Sequence, residues 1–344
     1  MAELRREPIL QRWVVITGQR WEALAEVLRQ RRGPGRRACP FCPGNEHETP
    51  SEVFALRDPA SSPNREGWSV RVVPNKFPVL RIEGEIERAG EGVFDQASAV
   101  GAHEIVIETP SHSADWGTMA VEEVAGILRA YRQRSLDLRG DERFRQIMIA
   151  RNHGPGVPVQ HPHSHVMALP VIPRRIEDEV RGLLDYYGRK ERCGYCDIIR
   201  QELSSGVRVI QETGEFLALA SFAARYPFET WILPKSHLHD FAAIEDGQIA
   251  ELAGLLQRLS RALQNLLPDL AYSVVLHTSP LRRFTEPRYH WHLEIRVRLA
   301  VGGGFEWGTG FFVNPLAPEE AARLLRAKLG EAQQPASPQS SLEP

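Results

Sequence analysis

Three histidines stand at alternate positions in the run HPHSHVMAL: His161, His163 and His165. Alternate side chains of an extended strand share a face. All three imidazoles would then project to one side of an otherwise apolar segment, where they are poor core material. A neutral imidazole is a good nucleophile near neutral pH and can form a covalent phosphoramidate with phosphorus. Four cysteines fall in two C-x-x-C pairs, Cys39/Cys42 and Cys193/Cys196. In a reducing compartment this spacing suits two thiolates on one tetrahedral zinc ion better than a structural disulfide. A redox pair is the rival chemistry, but neither pair opens an evident thioredoxin-like helix, and two pairs in one chain favour metal.

The elements that must position these groups occur twice, in the same order. In the first half, Cys39-Pro-Phe-Cys42 precedes EIVIETPSH (Glu104 to His112), an apolar run ending in a histidine. Next come VEEVAGILRAYRQRSLDL (Val121 to Leu138), with apolar residues at helical spacing, the strand-like FRQIMIARN (Phe144 to Asn152), and the histidine-rich strand. In the second half, Cys193-Gly-Tyr-Cys196 is followed by TWILPKSH (Thr230 to His237), GQIAELAGLLQRLSRAL (Gly247 to Leu263), YSVVLHTSP (Tyr272 to Pro280) and HWHLEIRV (His290 to Val297). Strands alternating with single helices indicate an α+β or α/β sheet in each half. On this reading residues 1–170 form the first half, the charged segment 171–192 a connector, and 193–330 the second half. The tail 331–344, rich in Gln, Pro and Ser, is expected to be disordered.

The repeat also distributes ligands, since a tetrahedral zinc ion needs four. Cys39, Cys42, His112 and one of the alternating histidines are the first set; Cys193, Cys196, His237 and His290 are the second. Aligning the halves pairs His112 with His237 and His161 with His290, and it selects His237 over nearby His239. A metal on His161 anchors the segment carrying His163, which is left free to react. The second half has His292 in place of His163 but Glu294 in place of His165, and reads as a scaffold copy.

Composition narrows the function classes. The formal net charge of −2 gives no reason to expect nucleic-acid or membrane-surface binding. The basic run Arg31, Arg32, Arg36 and Arg37 reads as a solvated loop. No stretch approaches the ~20 apolar residues of a membrane span, the start does not look like a signal peptide, and a cytoplasmic location is expected.

Taken together, REPILQRWVVIT, CPFCPGNE, RVVPNKFP, HEIVIETPSHS, HPHSHVMALPVIP, YPFETWILPKSH and GGFEWGTGFFVNPLAPEE resemble the galactose-1-phosphate uridylyltransferase family of the histidine triad superfamily. The resemblance implies an α+β fold of two tandem histidine-triad-like halves, each an antiparallel-rich sheet with packed helices, in a homodimer. It implies a ping-pong reaction in which His163 attacks the α-phosphorus of UDP-glucose, releases glucose 1-phosphate, and passes the uridylyl group to galactose 1-phosphate. Cys39, Cys42, His112 and His161 match the family's zinc ligands. By family position Arg20, Asn75, Phe77 and Asn152 would hold the nucleotide, and Phe305 would complete the site, its own or that of the partner subunit.

Three departures stand out. His165 replaces the usual Gln two residues after the nucleophile, so a donor to the phosphate would vary in strength with pH. The loop from Asn152 to His161 is short and lacks a Gly-x-Ser contact. The second metal site matches two patterns: the cysteine pair with zinc, as in proteins resembling plant ADP-sugar phosphorylases, or Glu179, His277, His290 and His292. The leading expectation is a UDP-glucose–hexose-1-phosphate uridylyltransferase with about two zinc ions per chain. The alternatives are an ADP-sugar phosphorylase or adenylyltransferase using the same intermediate, and a non-catalytic, zinc-stabilised nucleotide-binding module.

Overall fold

The computed structural model describes residues 3–6, 13–16, 39–91, 94–157, 159–267, 270–283, 288–298 and 303–331. Arg20, the basic run at Arg31 to Arg37, and the tail from 332 onward lie outside the described residues. The first half comprises β1 (Glu3–Arg6), β2 (Trp13–Ile16), β3 (Phe54–Arg57), β4 (Trp68–Pro74), β5 (Arg88–Glu91), β6 (Phe94–Ala97), β7 (Ala102–Ile107), helix α1 (Val121–Leu138), β8 (Gln146–His153) and β9 (His163–Leu169). Helices α2 (Arg174–Lys190) and α3 (Gly194–Ser205) follow, then β10 (Val209–Glu212), β11 (Phe216–Ala220), β12 (Thr230–Pro234), α4 (Asp246–Leu266), β13 (Tyr272–His277), β14 (His292–Val297), α5 (Gly304–Thr309), β15 (Phe312–Asn314) and α6 (Pro318–Glu331). No helix among the described residues is long and apolar enough to cross a membrane.

The fold is α+β, and the repeat is visible in its topology. One ten-stranded sheet runs β10-β11-β12-β14-β13-β8-β9-β7-β4-β3, with every neighbouring pair antiparallel. Outward from the β13–β8 seam the two halves read alike: β8-β9-β7-β4-β3 against β13-β14-β12-β11-β10. The half-sheets are therefore continuous rather than separate, joined where Tyr272 to Leu276 pair with His153 to Ile149. Gly154 makes the turn beyond the seam possible. Its φ of +88° suits glycine, and a Cβ there would lie 2.4 Å from the Leu270 carbonyl oxygen.

The apolar spacing of α1 and α4 sets the main core. Val124, Ile127, Leu128 and Tyr131 of α1 meet Leu252, Leu255, Leu256 and Leu259 of α4 over one face of the sheet, with α6 adding Ala322 and Leu325. The other face is covered unequally. Over the second half α2 and α3 bury Ile176, Val180, Leu183 and Ile199 against Leu217, Leu219, Trp231 and Leu233. Over the first half the described residues form a smaller cluster, from Trp68, Val73, Ile105 and Ile107 with Phe41 beside them.

A polar network interrupts the core beneath β9. Fully buried Arg151 donates from Nε to Glu108 at 2.9 Å and from Nη2 to Asp115 at 2.7 Å, and lies 4.5 Å over the Trp116 ring. Glu108 also accepts from the indole N–H of Trp116 at 3.1 Å and from the Ser164 hydroxyl. By register, the second half has Leu276 and Leu293 where the first has Arg151 and Ser164. Removing one partner of a buried ion pair strands the other charge. Arg151→Met is therefore expected to destabilise the fold by about 3–5 kcal/mol, read as a lower urea midpoint with an unchanged slope. A loss under 1 kcal/mol would contradict the account of this network.

Candidate active site and metal centres

The CPFCPGNE loop folds back on itself to present both thiols. Cys42 N–H bonds to the Cys39 carbonyl at 3.3 Å. The Asn45 amide donates to the same carbonyl at 2.9 Å, and Glu46 accepts from Gly44 N–H and the Trp68 indole. The Cys42 Sγ stands 3.4 Å from His112 Nδ1 and 3.6 Å from His161 Nδ1. The four ligand atoms of Cys39, Cys42, His112 and His161 all lie within 4.8 Å of one another.

The second half repeats the arrangement. Cys196 Sγ is 3.4 Å from His237 Nδ1 and 3.6 Å from His290 Nδ1, and Cys193 completes a group within the same 4.8 Å limit. Even the ring angles agree: His112 and His161 are 5.4 Å apart at 84°, His237 and His290 5.4 Å apart at 86°. In both groups the buried histidine has its other nitrogen fixed. His161 Nε2 donates to the Thr109 carbonyl at 2.7 Å and His290 Nε2 to the Pro234 carbonyl at 2.9 Å, the outer-shell bond that orients a metal ligand. With Zn–S near ~2.3 Å and Zn–N near ~2.0 Å, tetrahedral ligands stand about 3.6 Å apart. The donor type and spacing of both groups fit a metal ion of that kind.

A third group differs from the sequence reading. Glu179, His277 and His292 converge with ligand atoms within 4.8 Å, all buried, but His290 belongs to the cysteines instead. The two patterns weighed for the second site thus coexist and divide at His290. Tyr195 closes this third group, donating to Glu179 at 2.9 Å and lying 4.6 Å from the His292 ring. Burial opposes ionisation of Glu179, but His277 and His292 beside it outweigh that and pull its carboxyl well below the usual range.

His161 and His290 also lie just outside their strands, which start at His163 and His292. The expectation of three histidines within one strand is corrected here: the backbone leaves the ladder at the residue that turns its ring to the cysteines. His163 and His165 do share a face, with ring centroids 5.3 Å apart. His163 Nδ1 bonds to the His161 carbonyl at 2.8 Å. A carbonyl only accepts, so Nδ1 carries the proton and Nε2 the free lone pair. The Phe41 ring supports this imidazole edge-on at 5.3 Å. His292 repeats the bond to its own neighbour at 3.2 Å, but it is 0% exposed beneath Tyr195 while His163 retains 7%.

Burial pushes the His163 pKa down from its ordinary value. His165 falls to about 4 through burial and the neighbouring His163 and His103 rings. His165 therefore stays neutral across the neutral range, correcting the expectation that its donor strength changes there.

The remaining candidates are scattered. Asn75 sits against His103, its Oδ1 accepting from Phe77 N–H at 2.9 Å, while the Phe77 ring is 81% exposed. Asn152 lies at the seam, on the face of β8 that carries Ala150 opposite His165, and accepts from the Ser273 hydroxyl at 2.7 Å. Phe305, 52% exposed on α5, meets Phe311; no ring contact among the described residues joins it to these histidines. Sequence reasoning missed Phe41, Thr109, Tyr195 and His103. Only His103 left a signal, because it shares strand parity with Ile105 and Ile107 and so faces the same side as His163.

Two family models cover nearly the whole chain: galactose-1-phosphate uridyl transferase, N-terminal domain, over residues 3–173, and the C-terminal domain over residues 179–331. The ADP-glucose phosphorylase of Arabidopsis thaliana is 35% identical over 334 residues, covering 94% of this chain and 92% of the relative. The galactose-1-phosphate uridylyltransferase of Thermotoga maritima is 27% identical over 337 residues, covering 95% and 98%. A crystal structure of an ADP-glucose phosphorylase from Arabidopsis thaliana with bound ADP-glucose superposes with a TM-score of 0.79 at 32% identity, covering 95% of this chain and 99% of that one.

Proposed function

The chain belongs to the galactose-1-phosphate uridyl transferase family, and on that premise we propose that it moves a nucleoside monophosphate from a nucleotide sugar to a phosphate acceptor through a covalent intermediate on His163. The observation that carries this reading is the 2.8 Å contact from His163 Nδ1 to the His161 carbonyl, which places the proton on Nδ1 and leaves the lone pair on Nε2. In the first step Nε2 forms a bond to the α-phosphorus while the bond from that phosphorus to the bridging oxygen breaks, and the sugar 1-phosphate leaves. In the second an acceptor phosphate oxygen attacks the same phosphorus and the P–N bond breaks, restoring the neutral ring. A sugar phosphate leaves readily without a strong general acid, so the site has chiefly to orient reactants and stabilise charge on non-bridging oxygens. As Nε2 becomes bonded the ring gains positive charge, which the Nδ1–H bond to the His161 carbonyl spreads.

Zinc suits both cysteine–histidine groups: Cys39, Cys42, His112 and His161 would hold one ion, and Cys193, Cys196, His237 and His290 a second. Each would fix its loop to the sheet and supply structural rigidity. Residues 1–170 then form the catalytic half and residues 193–330 a scaffold half, with α2 of the linking segment 171–192 and α3 filling the equivalent space. Asn75, Phe77 and Asn152 are read as nucleotide contacts on the His163 face. Exposed Phe305 is read as a contribution across a homodimer.

Two observations favour an ADP-sugar donor with inorganic phosphate as acceptor. The cysteine-type second group is assembled, and the identity to ADP-glucose phosphorylase is 35% against 27% to the Thermotoga uridylyltransferase. UDP-glucose with galactose 1-phosphate is the second reading, favoured by the family itself. Labelling the protein with α-phosphorus-labelled ADP-glucose and UDP-glucose decides between them. More label from ADP-glucose supports the first, more from UDP-glucose supports the second, and none from either sinks both.

The same site gives a pH prediction. Because burial lowers the His163 pKa, the nucleophile is neutral above a pKa that lies under the ordinary ~6.5, and activity is lost only as pH falls through that lower value. Single-turnover labelling is expected to fall with acid about a midpoint below the ordinary histidine value of about 6.5. An acid limb with its midpoint at or above that value would contradict the assignment.

A further inference from the structure

We propose that His103, on β7, is a positioning residue that holds His165 in the tautomer with its proton on Nε2, so that the ring beside the nucleophile presents an N–H donor to the transferred phosphoryl group. This rests on the reading of His163 as the nucleophile.

A chain of hydrogen bonds runs inward from the backbone. Val79 N–H points at His103 Nδ1 from 3.2 Å. A backbone N–H can only donate, so Nδ1 must be the acceptor, and a neutral His103 carries its proton on Nε2. That nitrogen lies 3.0 Å from His165 Nδ1. His103 therefore donates, His165 Nδ1 accepts, and the one proton of a neutral His165 is left on Nε2. Reversing the chain would place a His103 Nδ1–H against the Val79 N–H, leaving two donors facing each other with neither bond made. Asn75 reinforces the order. Its Oδ1 accepts from Phe77 N–H, which fixes the amide's orientation. Its Nδ2 lies 3.4 Å from His103 Nδ1 and 3.1 Å from Nε2, near-equal distances that put it over the ring face, where it takes neither lone pair.

Sheet register ties His103 to this task. Ile105 lies directly opposite His165 on β9, and His103 is its diagonal neighbour on the same face. The second half couples the equivalent positions by other means. Glu294 stands where His165 does, Glu229 falls where His103 does when the β12–β14 register is continued, and Arg225 bridges them, at 2.6 Å and 3.1 Å. A glutamine two residues after the nucleophile donates through an amide that has no tautomer to choose. Histidine there donates to the phosphate only when its proton is on the outward nitrogen, and His103 settles that choice.

The test is direct and needs no substrate in its first arm. In full-length protein labelled with 15N-histidine, long-range 1H–15N correlation should find His165 with a protonated Nε2 and a bare Nδ1. In His103→Leu the two tautomers should mix. In kinetics, His103→Leu is expected to lower kcat for nucleotide transfer about tenfold with KM changed less than about twofold. His103→Gln, whose amide can accept from Val79 and donate to His165, should restore most of the loss. In a His165→Gln background the His103→Leu change should alter kcat less than about twofold, because nothing remains to orient. A wild-type His165 protonated on Nδ1, or equal losses in both backgrounds from variants that melt like wild type, overturns the proposal. A wild-type protein that takes up no nucleotide sinks the reading of His163 instead, while the tautomer of His165 still decides the positioning claim.

Discussion

Replacing His163 with alanine is expected to abolish covalent uptake of nucleotide and to lower turnover by about 10⁴-fold or more, the scale of loss when a nucleophile is removed from an otherwise intact site. The expectation follows from a division of labour. Among the described residues the His163 ring makes one hydrogen bond, to the His161 carbonyl, while His161 and the cysteines gather in the group read as a metal site. The variant should therefore keep the wild-type metal content and melting temperature. Retained labelling would exclude His163 as the attachment site. A collapse in metal content would instead place His163 within the metal group and away from the chemistry.

Replacing Cys42 with serine is expected to be the second most damaging change. Cys42 Sγ is the atom facing both His112 and His161. Losing it should remove one ion and leave about one zinc per chain by elemental analysis in place of about two. Structural zinc binding is worth many kcal/mol of folding free energy, so the melting temperature should fall sharply. Transfer should also fall by about 100-fold, through geometry: the His161 carbonyl sets the His163 tautomer, and a His161 ring without its metal no longer fixes that carbonyl. Cys196→Ser supplies the contrast. It should remove the second ion and lower stability too, yet reduce transfer less than about tenfold, because His292, which bonds to the carbonyl of the Cys196 partner His290, is sealed under Tyr195. Equal losses of transfer in the two variants would contradict the asymmetry drawn between the halves.

Much of this was legible in the residues. Helix α1 falls on the bounds the apolar spacing gives, Val121–Leu138, because its three-and-four periodicity is uninterrupted. The repeat named the groups that the fold brings together around each cysteine pair, because order along the chain survives in a sheet that is symmetric about its seam. Other features were hidden for physical reasons. The segment after Val171 reads as a charged connector, yet Ile176, Glu179, Val180 and Leu183 form a buried stripe of α2. Ile176, Val180 and Leu183 stand at helical spacing, but the charges around them and Glu179 within the stripe masked it. The union of the half-sheets depends on pairing β8 with β13, strands more than a hundred residues apart, and neither strand announces its partner. The neutrality of His165 depends on burial beside two other imidazoles, which residue type cannot convey. His103 was readable in principle from strand parity but was overlooked as one polar residue in an apolar strand.

The central claim is that one imidazole carries the nucleotide between two phosphates. It is tested most directly by mixing the full-length protein with α-phosphorus-labelled ADP-glucose or UDP-glucose, quenching in alkali, and mapping the label by peptide mass spectrometry. The account predicts one nucleoside monophosphate per chain on a ring nitrogen of His163, stable to base, labile to acid, and discharged by the phosphate acceptor. Label on any other residue, or steady turnover with no covalent nucleotide at any time after mixing, would contradict it.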